Sequence, residues 1–334
     1  KTDRDTSVDP AEIDASAETT PTLLISGEDG DKLIGGSASD QLSGGGGDDV
    51  LDGGLGDDLL AGGAGSDTAT FDNSSSSVDV DLASGLASGE GSGNDMLTSV
   101  ENVVGSNFND TLSGDASNNT LNGGAGDDVL QGRGGDDTLI GGDGNDTASY
   151  EDITTTITAD MGAGTVVGED TGSDTLVGIE RIDAGSGDDV LKGSSGDDTL
   201  SGGLGDDVFW ASEGSDVILA GGGTDVLYLS FGYEPVSLSV DTETGSLTLI
   251  VENSGAEHTI IVENHLTDQL SAIRVYASSD HGEYQEYGLS VDVISLGNQT
   301  LYRATTNLPT IVGGSAGDDA ILGAGGDDVL LGND

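Results

Sequence analysis

The chain contains no cysteine. Disulfide staples and thiolate-held metals are therefore excluded. Basic residues are nearly as scarce, with 8 Lys and Arg against 63 Asp and Glu and a formal net charge of −55. Nucleic acid and anionic membrane surfaces both need Lys/Arg patches, so neither is expected as a partner. Aromatic residues make up 4% of the chain, with a single Trp, which is too little for a conventional large core. No apolar run approaches the roughly 18 residues of a transmembrane helix. What the chain has in abundance is acid and glycine, 58 of the latter, without the every-third-residue period of collagen. A compact chain this acidic repels itself. A multivalent cation is therefore expected to join the fold, and hard, oxygen-seeking ions are the class left open.

Internal repeats organise the chain. A nine-residue block runs through three arrays, 26–70, 105–149 and 184–228, with two further blocks at 314–331. The arrays begin at 26, 105 and 184, two equal steps of 79, so a larger unit contains the smaller one. The segments after the first two arrays keep the same order. Asp67–Phe71 aligns with Asp146–Tyr150, and Asn94–Ser106 aligns with Ser173–Gly185. Each linker has an alternating stretch, Val78–Leu82 or Ile157–Met161, that predicts a strand. Equal length and kept pattern predict ordered linkers. Residues 1–24 are acidic and aperiodic, and by themselves read as a disordered leader or linker. Residues 229–313 differ again. Val236–Glu252 alternates across a turn at Asp241–Gly245, a hairpin signal, and His258–Tyr276 suggests a strand, a short turn or helix near Leu266–Leu270, and a second strand. This region reads as a small antiparallel β module. The expected divisions are 1–24, 25–104, 105–183, 184–228, 229–313 and 314–334. The last block breaks off at Gly332-Asn333-Asp334, which leads us to expect a piece of a longer chain.

The block Gly44–Asp52, GGGGDDVLD, shows the chemistry. Glycines at positions 1, 2 and 4 permit positive φ and a tight turn whose carbonyls point inward. Asp49 at position 6 adds a hard carboxylate, and Leu51 at position 8 points into the core from a three-residue strand. Carbonyl and carboxylate oxygens gathered at a glycine turn suit calcium, whereas zinc would call for His or Cys. One block cannot complete a shell of six to eight oxygens. If two blocks make one coil turn, block n stacks on block n+2, eighteen residues away. Asp31 then meets Asp49, Asp40 meets Asp58 and Asp49 meets Asp67. Leu33, Leu42, Leu51, Leu60 and Ala69 form a thin aliphatic core between two short parallel sheets.

On this pattern the chain resembles the RTX (repeats-in-toxin, haemolysin-type) calcium-binding proteins, whose repeat is GGxGxDxUx. The resemblance implies an all-β fold, a right-handed parallel β-roll or calcium-binding β-helix, here with the antiparallel module inserted near the C-terminus. It implies roughly ten calcium ions, and export of the unfolded chain by the type I secretion machinery to the outside or surface of a bacterium. Its metal ligands would be the position-6 residues Asp31, Asp40, Asp49, Asp58, Asp67, Asp110, Asp128, Asp137, Asp146, Asp189, Asp198, Asp207, Asp216, Asp225, Asp319 and Asp328. Supporting glycines would be Gly44, Gly45, Gly47, Gly53, Gly54, Gly56, Gly123, Gly124, Gly126, Gly202, Gly203 and Gly205. Some blocks depart from the pattern. Ala38 replaces the position-4 glycine, Asn119 replaces the position-6 aspartate, and Ser106 and Phe108 stand where glycines belong. Calcium sites there are expected to be weaker. The position-5 aspartates Asp48, Asp57, Asp127 and Asp188 read as solvated surface charge.

Enzyme motifs are weak. Gly313–Gly317 matches G-x-S-x-G but lacks the strand-to-helix context of a nucleophile elbow. His258, His265 and His281 lie near acidic residues in the β module and read as ordinary surface or half-buried side chains. The expectation is a non-enzymatic calcium-stabilised scaffold or surface protein that self-associates. Two alternatives stand beside it: the RTX module of a larger secreted enzyme or toxin, and a ligand-binding module built on 229–313.

Overall fold

A computed structural model describes the backbone of residues 2–4, 11–210 and 212–229, and of a set of strands beyond. Side chains are described for 11–210, 212–228, 248 and 258–262. Among the described residues there is no helix, and so none long and apolar enough to cross a membrane. Contacts divide the chain into two compact units. One comprises Lys1–Tyr150 with Gly164–Ile179, the other Glu151–Ala163 with Glu180–Asp334. The second linker divides its strands between the two units.

In the first unit, strands of three to six residues stack in parallel with the eighteen-residue step that the repeat predicts. Leu24 registers with Leu42 and Leu42 with Leu60. On the opposite sheet Leu33 registers with Leu51, and Leu51 with Ala69. These side chains are almost completely buried. One apolar residue per short strand is enough, because the turns leave space for only one inward-pointing side chain between the two sheets. The roll is therefore a parallel β-roll with a core one residue thick.

The first linker is an ordered part of this stack, as its pattern predicts. Asp79–Asp81, Leu86–Gly89 and Gly93–Thr98 form an antiparallel meander. Its outer strands pair in parallel with the arrays on either side, Leu97 opposite Leu60 and Val80 opposite Leu112. Val80 and Leu97 thereby carry the core across the gap between arrays.

Residues 11–24 depart from the expected disordered leader. Glu12–Asp14 pairs in parallel with Lys32–Ile34, placing Ile13 opposite Leu33. The Ala11 and Thr22 N–H groups donate to the Oδ1 atoms of Asp31 (2.7 Å) and Asp40 (2.6 Å). The sequence hides this because a three-residue strand shows no periodicity of its own. Its order comes from the edge of the first array, which offers unpaired main-chain groups.

In the second unit Ile182, Leu200 and Ile218 register on one sheet, and Leu191, Phe209 and Leu227 on the other. Trp210 and Tyr228 stack on each other, with ring centroids 4.7 Å apart. The predicted hairpin is present as Glu234–Val240 antiparallel to Leu247–Asn253. The module is not a separate layer, however. Its strand Ala256–Val262 pairs in parallel with Ser215–Leu219, and Leu270–Tyr276 with Asp225–Leu229, so it continues both sheets. Leu266–Gln269, His265, His281, the G-x-S-x-G serine and the expected ligands Asp319 and Asp328 lie outside the described residues. His258 accepts the Gly214 N–H through Nδ1 (3.1 Å), a structural role.

Candidate metal centre

The position-6 aspartates form a buried ladder. Asp31 N–H donates to Asp49 Oδ1 (2.8 Å), Asp40 N–H to Asp58 Oδ1 (2.7 Å) and Asp49 N–H to Asp67 Oδ1 (2.8 Å). The predicted partners are therefore neighbours, each carboxylate holding the main chain of the preceding turn. The same contact joins Asp110 to Asp128, Asp128 to Asp146, Asp189 to Asp207, Asp198 to Asp216 and Asp207 to Asp225. Asn119 N–H bonds Asp137 Oδ1 in the same way.

The second carboxylate oxygen divides the turns. Oδ2 of Asp49, Asp58, Asp67, Asp128, Asp137, Asp189 and Asp207 is buried without a hydrogen-bond partner. In each of these turns except that of Asp189, positions 2 and 4 have positive φ, as at Gly45 (102°) and Gly47 (97°). Gly54 and Gly56, Gly124 and Gly126, and Gly203 and Gly205 repeat the arrangement. By contrast, Oδ2 of Asp31, Asp40, Asp110, Asp198 and Asp216 accepts the N–H of position 2 of its own block.

The glycine at position 1 leaves a cradle for a ligand. A Cβ at Gly44 would collide with Asp49 Oδ2 and lie 2.7 Å from the Gly62 carbonyl oxygen. Carboxylate and carbonyl oxygens from successive turns therefore converge where a side chain is absent. Gly53, Gly123 and Gly202 hold the same relation to Asp58, Asp128 and Asp207. Among the described residues no three His, Cys, Asp or Glu side chains share one centre. Side-chain carboxylates alone thus do not make a site, and the remaining donors must be main-chain carbonyls. An orphaned, desolvated carboxylate oxygen beside carbonyls, with no nitrogen or sulfur ligand, fits calcium.

Burial raises these carboxyls far above their ordinary range. Desolvation first, and neighbouring aspartates second, push Asp58 and Asp207 up to about 7 and Asp49 and Asp128 up to about 6. Asp137 reaches about 7, helped by Asp174. Raised carboxyls favour the metal-free fold below the unfolded value near 4, and that contribution is lost as pH rises through about 6 to 7. A cation competes with those protons. Apparent calcium affinity should therefore climb between pH 5 and pH 7.5, with protons released on binding near pH 6. Calorimetric titration in two buffers of different ionisation enthalpy checks this, and a buffer-independent heat at pH 6 would contradict it.

Three ligand-like residues escaped the sequence reading. Asp58 N–H donates to Asp95 Oδ1 (2.9 Å), Asp137 N–H to Asp174 Oδ1 (3.0 Å) and Asp67 N–H to Glu101 Oε2 (2.9 Å). The linkers thus supply rungs of the ladder. The signal was present in Gly93-Asn94-Asp95-Met96-Leu97 and Gly172-Ser173-Asp174-Thr175-Leu176, which keep positions 4, 6 and 8. It was masked because Glu90 and Glu169 replace the opening glycine. The two rungs differ, since the buried Tyr150 hydroxyl donates to Asp174 Oδ2 (2.9 Å) while the equivalent residue of the first linker is Phe71. Tyr150→Phe leaves a buried acceptor without its donor, and should cost about 1–3 kcal/mol in urea unfolding at fixed calcium. Unchanged stability would show that the hydroxyl is not needed there.

The position-5 residues are exposed, as expected, but they also bind. Asp48 Oδ1 accepts the Ser66 N–H (2.8 Å), Asp57 Oδ1 the Asn94 N–H (2.9 Å), Asp127 Oδ1 the Asn145 N–H (3.0 Å) and Asp188 Oδ1 the Asp206 N–H (2.9 Å). This outer ladder runs opposite to the inner one, each side chain holding the turn that follows. Solvated charge describes only half of their role.

A family model described as an RTX calcium-binding nonapeptide repeat matches residues 34–69, 100–130, 113–148, 170–209, 202–233 and 313–334, together about half of the chain. Among solved structures the chain is similar to the extracellular lipase LipA from Serratia marcescens. The identity is 19%, over 75% of this chain and 39% of that one, with a TM-score of 0.22. The chain thus spans well under half of that protein's length. No curated protein matches.

Proposed function

Because the chain belongs to the RTX calcium-binding nonapeptide repeat family, we propose that extracellular calcium switches on its folding and that the folded stack is a structural, non-enzymatic component. The observation that carries this reading is the set of buried, partnerless Oδ2 atoms beside inward carbonyls. Burying such a group without a partner is costly, and a cation between successive turns removes the cost. With a net charge of −55, the chain repels itself where calcium is scarce. That suits export in an unfolded state through type I machinery by a bacterium, with folding outside the cell. The carboxylates are used for cohesion between turns, which supports a scaffold at the cell surface or in a matrix.

Limited proteolysis tests the switch. The arrays should resist cleavage in millimolar calcium and be degraded in excess EGTA, whereas equal cleavage in both would overturn the reading. The scaffold role also calls for self-association, which light scattering in millimolar calcium should show as species larger than one chain. A strictly monomeric profile would remove that part of the proposal.

A further inference from the structure

The two kinds of turn follow a rule that the repeat consensus does not contain. In the blocks of Asp49, Asp58, Asp67, Asp128, Asp137 and Asp207, positions 2 and 4 both have positive φ and the position-6 carboxylate keeps an orphaned Oδ2. Where either position departs from that conformation the chain itself supplies the donor, except in the block of Asp189. Ser194 N–H (2.6 Å) and Oγ (3.1 Å) both reach Asp198 Oδ2. Ser106 donates its N–H to Asp110 Oδ2 (2.5 Å) and its hydroxyl to Oδ1 (2.8 Å). Ser212 Oγ reaches Asp216 Oδ2 at 2.8 Å. Gly27 and Gly36 do the same through N–H alone, in blocks whose position 4 is Asp29 or Ala38 rather than glycine. In the block with Asn119, the Asp115 N–H closes the turn onto Asn119 Oδ1 (2.8 Å). Arg133 is the informative odd case. It is not glycine, yet its φ is 70°, and Asp137 Oδ2 stays orphaned. Backbone conformation, not residue name, therefore sorts the turns. The block Ala184–Lys192 is the exception: it has glycine at both positions without positive φ at either, yet Asp189 Oδ2 is orphaned.

Among the described residues the closed turns lead the first two arrays and alternate with an open one in the third. They are the first two blocks of the first array, 26–43, and the first two of the second, 105–122. In the third array they are 193–201 and 211–219. The open turns follow at 44–70 and 123–140.

We propose that the closed turns are completed by the chain instead of by calcium, so that each of the first two arrays starts with a calcium-independent segment and ends with a calcium-requiring one. The N–H groups and the Ser106, Ser194 and Ser212 hydroxyls give the buried carboxylate oxygen of a closed turn the partner that a cation gives it at an open one. The closed segment then offers a preformed edge on which the open turns stack as calcium arrives.

The inference rests on the calcium reading above, and the parent chain separates the two. Calcium stoichiometry is measured by calorimetry for the parent and for Ser194→Gly, which restores glycine at position 2 where Gly196 already holds position 4. The double variant Ser106→Gly/Phe108→Gly does the same for its block. Each converted turn should gain about one calcium. In the reverse direction, Gly124→Ser/Gly126→Ala should lose about one and leave more β structure in EGTA. A parent that takes up no calcium would overturn the calcium reading itself. A parent that binds calcium, with variants of unchanged stoichiometry in both directions, would overturn this inference alone. If the reverse variant fails to fold, the two forward variants still decide, because they also delete the Ser106 and Ser194 hydroxyl donors and so do not depend on the φ of the new glycine alone.

Discussion

Excess EGTA should abolish most of the β structure of the chain and lower its stability by an amount comparable to that of a whole domain. Extracellular calcium modules bind at about 10⁻⁴ to 10⁻³ M. A site held at ten times its dissociation constant contributes about 1.4 kcal/mol by mass action. One such site at each of the six open turns contributes on the order of 8 kcal/mol in all, within the roughly 5–15 kcal/mol that folds an ordinary domain. Among the described residues nothing else replaces that contribution. The core is one residue thick, aromatics are few, and there is no disulfide. The buried carboxylates would instead face one another with orphaned oxygens. Far-UV circular dichroism before and after chelation reads this directly, and recovery on adding back calcium separates unfolding from damage. A spectrum that chelation leaves unchanged would contradict the expectation.

Leu51→Ala should cost about 2–5 kcal/mol in urea unfolding at fixed, saturating calcium. Leu51 is fully buried and registers between Leu33 and Ala69. Because each strand gives the core a single side chain, there is no second layer to collapse into the cavity. Ala69 is already small, so the loss would open two adjacent rungs. Leu59→Ala is the control. Leu59 lies next to Leu60 on the outward face and is 37% exposed, so its truncation should cost about 0.5 kcal/mol or less. Equal losses at the two positions would mean that the sheet interior is not the core.

Much of this architecture is written in the spacing. Leu33, Leu51 and Ala69 fall eighteen residues apart, and the strands pair with that register because turns of constant length leave no alternative. The aspartate pairs followed from the same step. Other features depend on local conformation that spacing does not encode. Gly27 and Gly45 are both position-2 glycines, yet only Gly45 has positive φ, and only its turn leaves a carboxylate oxygen orphaned. Asp95 and Asp174 were hidden by glutamates in place of the opening glycine, although position 8 was kept. The strand Glu12–Asp14 owes its order to the neighbouring edge and not to its own composition. Asp57 was read by charge alone, which revealed its exposure but not its grip on Asn94.

The most direct measurement of the central claim is a calcium titration of the chelated chain, with heat and far-UV circular dichroism followed together. β structure should rise in step with calcium uptake. Magnesium at the same concentration should fail to substitute, because it holds its waters and demands a rigid octahedron that glycine turns of carbonyls and paired carboxylates do not provide. Folding that is complete before calcium is added, or that magnesium drives equally well, would contradict the account.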